Sequence, residues 1–273
     1  RASESSFFIL SSPSWLMYCT SAIMIQLKRS PALRQNPDFF AKVAIIFISL
    51  QGMKENLYTI GIDFGSDSAR AVLVNAVTGA IEASSSMNYP RWMKGLYCDA
   101  AAQQHRQHPL DYLECLERIL GEVVAACPDR KAIRAIAVDT TGSTPCFTDE
   151  KGLPLSLREE FKDDPDAMFI LWKDHTGTLE AEQITEACSR HEPNYACQSG
   201  NHYSSECTWA KVLHTVRKSE AVRNAARGII EEADFITNVL TGCRDFAEMK
   251  IGHCLAAVKQ LWRKEWGGFP PDG

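Results

Sequence analysis

A chain of 273 residues with 45% hydrophobic and 23% charged residues has the composition of a globular protein, long enough for one large domain or two small ones. The formal net charge of -5, with no basic stripe, argues against a nucleic-acid partner. None of the ten cysteines forms a CxxC pair, which excludes a zinc ribbon; scattered through apolar stretches, they read as free thiols of a reducing cytoplasm.

Residues 1–52 read differently from the rest. Their two apolar runs, 15–25 and 43–50, are shorter than the ~20 residues a membrane span needs. Lys28, Arg29 and Arg34 lie between the runs, the wrong order for a secretory signal. Met53 is the expected true start. Residues 1–52 are expected to be a non-native or disordered extension, and 53–273 one domain. No membrane partner is expected.

From Met53 onward, residues 57–62 form a short apolar strand that runs into the polar loop Asp63-Phe64-Gly65-Ser66-Asp67-Ser68. Strands over 69–75 and 80–86, joined by a Thr78-Gly79 turn, complete an antiparallel meander. Pro109 opens a helix with an apolar stripe of Leu113, Leu116, Leu120, Val123, Val124 and Cys127. Asp111, Glu114, Glu117 and Arg118 read as its solvated face. Residues 132–138 read as a buried strand leading into Asp139-Thr140-Thr141-Gly142-Ser143-Thr144, and 149–152 as a hairpin turn. A strand over 168–172 precedes Lys173-Asp174-His175. Helices are expected near 179–190, 205–217 and 233–240, the last closed by Gly242 as C-cap. Strands followed by helices and further strands indicate an α/β domain with a mixed sheet flanked by helices.

Three strand ends carry candidate chemistry. Asp63 can hold Mg²⁺ through carboxylate oxygen, Gly65 lets the backbone approach an anion, and Ser66 and Ser68 can donate to phosphate. Arg70 can steady that loop or reach phosphate. A plain turn explains the same pattern, and the spacing alone leaves both readings open. The backbone at Gly142 can bond sugar hydroxyls, although a polar strand-end turn is equally compatible. Trp172 next to Lys173, Asp174 and His175 pairs an apolar ring face with polar groups, as a sugar site requires. His175 has no second ligand at metal-binding spacing.

Taken in order, several segments carry a resemblance. They are Gly61-Ile62-Asp63-Phe64-Gly65-Ser66-Asp67-Ser68, Tyr89-Pro90-Arg91-Trp92, Val138-Asp139-Thr140-Thr141-Gly142, Leu171-Trp172-Lys173-Asp174-His175, Tyr203-Ser204-Ser205-Glu206, Trp209-Ala210-Lys211 and Lys264-Glu265-Trp266-Gly267-Gly268. The series resembles the ribulokinases of the FGGY carbohydrate kinase family across residues 53–271. The resemblance implies a ribonuclease-H-like, actin-like ATPase fold and transfer of the γ-phosphoryl of MgATP to ribulose. Its implied partners are therefore a small sugar and ATP with Mg²⁺, and the full-length form is free to self-associate. By matching position it implies that Asp63 and Ser66 serve Mg²⁺ and phosphate. It likewise implies that Gly142, Trp172, Asp174 and Lys259 line the sugar. The acceptor base of the family is an Asp expected beyond Gly273, so this chain alone is expected to be inactive. The alternatives are another FGGY pentulose or polyol kinase, or a non-enzymatic actin-like or Hsp70-like nucleotide-dependent binding domain. Trp172, Asp174 and Lys259 favour the kinase.

Overall fold

The computed structural model describes residues 56–243 and 245–270, so the expectation for residues 1–52 lies outside the described residues. In chain order the elements are β1 Tyr58–Phe64, β2 Ser68–Asn75, β3 Ile81–Asn88, β4 Arg106–Gln107, α1 Pro109–Ala125, β5 Ile133–Thr140, β6 Pro145–Thr148, β7 Phe169–Ile170, α2 Thr178–Ser189, α3 Thr208–Lys218, α4 Glu220–Ala225, β8 Gly228–Glu231, α5 Glu232–Thr241 and α6 His253–Lys259. The expected mixed α/β class is present. The chain divides into two compact units. Of the described residues, the first holds 56–62, 70–86 and 118–137, and the second 63–69, 87–117 and 138–270.

The first unit is built on a four-stranded sheet of order β3-β2-β1-β5. Three residues join β1 to β2 and five join β2 to β3, connections too short for parallel neighbours. The antiparallel meander expected from sequence is therefore present. Tyr58, Ile60 and Ile62 of β1 are buried and alternate with half-buried neighbours; Ala71 and Leu73 do the same on β2. Ile119 and Val123, four apart on α1, add to this apolar core. The Asn75 side chain accepts the N–H groups of Val77 and Thr78 at 3.0 and 3.1 Å, which sets the β2–β3 turn.

One expectation fails here. The strand read as buried over 132–138 is mostly accessible, and Ile136 is 43% exposed. As an edge strand β5 has a sheet neighbour on one side only, so its apolar residues stay uncovered.

In the second unit, β4 pairs antiparallel with β7, Arg106 opposite Ile170, and β6 pairs antiparallel with β8, Cys146 opposite Ile230. Edge-to-face aromatic contacts run from Phe64 and Tyr89 to Tyr112, and on from Tyr112 to Phe169. A second core gathers Ala181, Cys188, Tyr203, Cys207 and Ala210. A Cβ on Gly177 would lie 2.7 Å from the Ala210 carbonyl oxygen, so the start of α2 meets α3 through a residue without a side chain. Gly242 adopts φ +71° and closes α5 as expected, its N–H donating to the Val239 carbonyl.

The solvated face expected of α1 is corrected at Asp111, which is fully buried. Its carboxylate accepts the N–H groups of Arg91 and Trp92 at 3.0 and 3.1 Å and pairs with the Arg91 guanidinium at 3.0 Å. A carboxylate with three donors can leave water. The buried stripe accordingly runs through Tyr112, Cys115 and Ile119, with Leu116, Val123 and Cys127, rather than through Leu113, Leu120 and Val124. Strands β4, β6 and β8 and helices α4 and α6 have no counterpart in the sequence reading, because segments this short carry almost no periodicity.

Candidate functional site

All but one of the sequence-predicted site residues fall in the second unit. Asp63 is half-buried one residue before the end of β1. The turn that follows is held from several sides. The Gly65 N–H donates to the Ser68 carbonyl at 3.0 Å, and the Gly65 carbonyl accepts from the Tyr89 hydroxyl at 3.0 Å. Gln107 Nε2 donates to the Ser66 carbonyl at 2.6 Å. Two indoles then clasp the side chains of the turn: Trp172 Nε1 donates to Ser66 Oγ at 3.0 Å, and Trp92 Nε1 to Asp67 Oδ1 at 2.7 Å. The Lys173 ammonium sits over the Trp92 ring, 4.9 Å from its centroid. Ser66 and Trp172, 106 positions apart, are thus brought into contact.

The loop after β5 forms the next part. The Thr141 N–H donates to the Phe64 carbonyl at 3.1 Å, joining this loop to the end of β1. Thr141 Oγ1 donates to Glu232 at 2.8 Å. Glu231 accepts from Ser143 Oγ at 3.1 Å, the Thr144 N–H at 2.7 Å and Thr208 Oγ1 at 2.6 Å. Lys211 Nζ donates to the Ser143 carbonyl at 2.7 Å. Gly142, in the middle, has no hydrogen-bond partner for either backbone group among the described residues. Leu255 of α6 packs against it, and a Cβ there would sit 2.7 Å from Leu255 Cδ2.

Asp174 is placed differently from Trp172, two residues before it. Trp172 is exposed, whereas Asp174 is completely buried. Its carboxylate is ion-paired with the Arg106 guanidinium. It also accepts the His105 N–H at 2.7 Å, the Thr176 N–H at 3.1 Å and Thr176 Oγ1 at 2.6 Å. Every contact of this carboxylate is internal, which makes it a strut under the Trp172 segment. Burial lowers the Arg106 guanidinium to about 10, still cationic at neutral pH. Lys259 ends α6; its carbonyl accepts from the Tyr203 hydroxyl, and its ammonium has no hydrogen bond or ion pair among the described residues. Arg70 is exposed on β2 and belongs to the first unit.

Burial holds the Glu232 carboxyl well above the usual range, reinforced by the charges of Glu231 and Asp63. Its Oε1 is buried without a hydrogen-bond partner among the described residues. Among the described residues no group of three or more His, Cys, Asp or Glu side chains is arranged to hold a metal ion. The donor set suits Mg²⁺, which takes one or two carboxylates from protein and its other oxygens from phosphate and water. Asp63 is a half-buried carboxylate near the end of β1. Sequence reasoning missed Glu231, Glu232 and Lys211. The adjacent pair of acids opening an apolar helix was the available signal for the first two.

No family model matches the chain. A ribulokinase from Vibrio parahaemolyticus is 44% identical over 216 residues, 78% of this chain and 38% of that protein. A ribulokinase from Halalkalibacterium halodurans is 31% identical over 221 residues, 79% of this chain and 38% of that protein. Among solved structures, a xylulose kinase from Bifidobacterium adolescentis superposes with a TM-score of 0.53 at 13% identity, covering 76% of this chain and 40% of that one. A Plasmodium falciparum glycerol kinase with ADP gives 0.52 at 14% identity, covering 76% and 41%. These two show that the fold is shared with sugar kinases. The chain spans about two fifths of the length of the relatives it matches, and over nearly four fifths of its own length its sequence is similar to ribulokinases.

Proposed function

We propose that this chain carries the sugar-binding part of an ATP-dependent ribulose kinase, whose complete form transfers the γ-phosphoryl of MgATP to a terminal hydroxyl of L-ribulose in arabinose breakdown. The observation that carries the reading is the Trp172–Ser66 hydrogen bond, which sets an exposed indole beside the Asp63–Ser66 turn. One wall thereby offers a ring face for sugar C–H groups and an acidic turn for the phosphoryl side. Mg²⁺, when bound, neutralises charge on the transferring phosphoryl group. In this reading Asp63 holds the cation, while Gly65 and Ser66 serve the nucleotide phosphates. The backbone of Gly142, without a partner among the described residues, meets sugar hydroxyls, and Lys259, whose ammonium is unpaired among the described residues, meets a sugar or phosphate oxygen. Asp174 contributes by fixing the Trp172 segment. A ribonuclease-H-like, actin-like topology and a cytoplasmic location belong to the same reading, the latter supported by buried free thiols such as Cys115, Cys146 and Cys207. No described helix is long and apolar enough to cross a membrane.

The acceptor base and the adenine side of the cleft are assigned to the part of the relatives that this chain does not span. The test is binding and turnover side by side. L-ribulose is expected to raise the melting temperature of the chain, because a ligand bound by the folded state alone stabilises it by mass action. ADP release with ribulose and MgATP is expected to stay at background. No shift with ribulose, against a clear shift with glycerol or xylulose, sinks the substrate assignment.

A further inference from the structure

Lys211 is the fourth residue of α3 and is fully shielded from solvent. A buried ammonium is costly unless its surroundings use it. Here it donates to the Ser143 carbonyl at 2.7 Å and reaches the Ile170 carbonyl at 3.5 Å. Burial pulls it down to about 7 against the opposing pull of Glu231; Cys207, Arg106 and Lys259 are the other titratable or charged groups around it. Glu231 grips the same loop from the end of β8, through the Ser143 hydroxyl and the Thr144 N–H. The two residues after Gly142 are therefore held from two sides, by the Lys211 amine on a carbonyl and by the Glu231 carboxylate on a hydroxyl and an amide. Gly142 itself keeps both backbone groups without a partner among the described residues.

We propose that Lys211 is a positioning residue, which with Glu231 fixes the backbone after Gly142 and so presets the Gly142 N–H and carbonyl for a sugar hydroxyl. The proposal rests on reading this loop as sugar-binding. Its physical advantage is preorganisation: a loop already fixed loses less conformational freedom when ligand arrives. Lys211 touches no ligand in this scheme and acts through the Ser143 carbonyl.

The experiment compares the wild-type chain with Lys211→Met and with the double variant Lys211→Met/Glu231→Gln, which removes both buried charges. Amide hydrogen exchange is measured at residues 141–144 and, as an internal control, along α2; L-ribulose affinity is measured by calorimetry. In Lys211→Met, exchange at Ser143 and Thr144 is expected to quicken at least tenfold with α2 unchanged, and ribulose binding to weaken at least tenfold. If Lys211→Met does not fold, the double variant supplies the same readings. Loop exchange within twofold of wild type overturns the proposal. So does an equal quickening along α2, or failure of both variants to fold, because Lys211 would then serve the fold at large. Absence of ribulose binding by the wild type refutes the sugar reading of the loop, while the exchange data still decide whether Lys211 positions it.

Discussion

In the first unit Asn75 is the one polar residue taken fully out of water among the described residues, whereas the second unit buries Arg106, Asp174, Lys211, Glu231 and Glu232 together with many neutral polar partners. The first unit follows the simplest rule for a sheet, with apolar side chains turned to one side at every second position. Its stability comes from area removed from water, at roughly 25 cal/mol per Å². The second unit spends part of that stability on charges whose desolvation consumes most of their mutual attraction. What those charges do is hold loops in one shape: the Asp174 carboxylate under Trp172, and Lys211 and Glu231 around Gly142. The candidate site lies in the unit that tolerates the electrostatic cost.

The sharpest way to break this comparison is Asp174→Ala. It leaves the buried Arg106 guanidinium with only the longer 3.9 Å pairing to Asp166, and a loss of about 3–5 kcal/mol is expected in urea unfolding. If Asp174 instead served ligand binding alone, stability would be unchanged. A matched lesion in the first unit is Leu73→Ala, at a fully buried strand position. A loss of about 2–4 kcal/mol is expected from lost burial and the cavity left behind. Its effect should be independent of salt and pH, unlike the lesion at Asp174.

Asp234 gives a pH test of the second unit. Burial raises its carboxyl to about 6 from the ordinary 3.8, while Oδ1 accepts the Gly252 N–H at 2.8 Å. The folded state thus binds the proton more tightly than the unfolded one. Below about pH 4 both states are protonated; between about 4 and 6 stability falls as the pH rises, and above about 6 the ionised form bears the full cost. Asp234→Asn keeps an oxygen acceptor and removes the charge. A gain of about 1–2 kcal/mol at pH 7 that vanishes near pH 4 is expected in thermal melts, allowing for residual solvent screening. A variant less stable at pH 7 contradicts this. The smallest effect belongs to Arg118→Ala, which removes the exposed Arg118–Glu122 pair on α1. Thermal melts should barely distinguish it from wild type, and less so in high salt.

Much of the first unit was legible from residues alone because burial on one face imposes a period of two. Leu57 to Ile62 and Ala69 to Asn75 announce themselves as strands, and the Thr78-Gly79 turn sets their connection. The helix opened by Pro109 and the glycine cap of α5 were equally readable, because the constraints on proline and glycine are local. Edge position defeated the reading of β5, since an apolar run looks the same whether or not a neighbour covers it.

For the candidate site, sequence by itself singled out three loops as candidates: Asp63 to Ser68, Asp139 to Thr144, and Trp172 to His175. It could not divide Trp172 from Asp174, because residues two apart leave a chain in whatever directions the local turn dictates. Only the tertiary structure gave one to the surface and the other to Arg106. Thr208, Lys211 and Thr215 are polar residues recurring at helical spacing on α3, and all three are buried. A polar stripe says that a helix face needs hydrogen-bond partners. Whether water or a loop 68 residues away supplies them is decided by packing, and at Lys211 the partner is the Ser143 carbonyl.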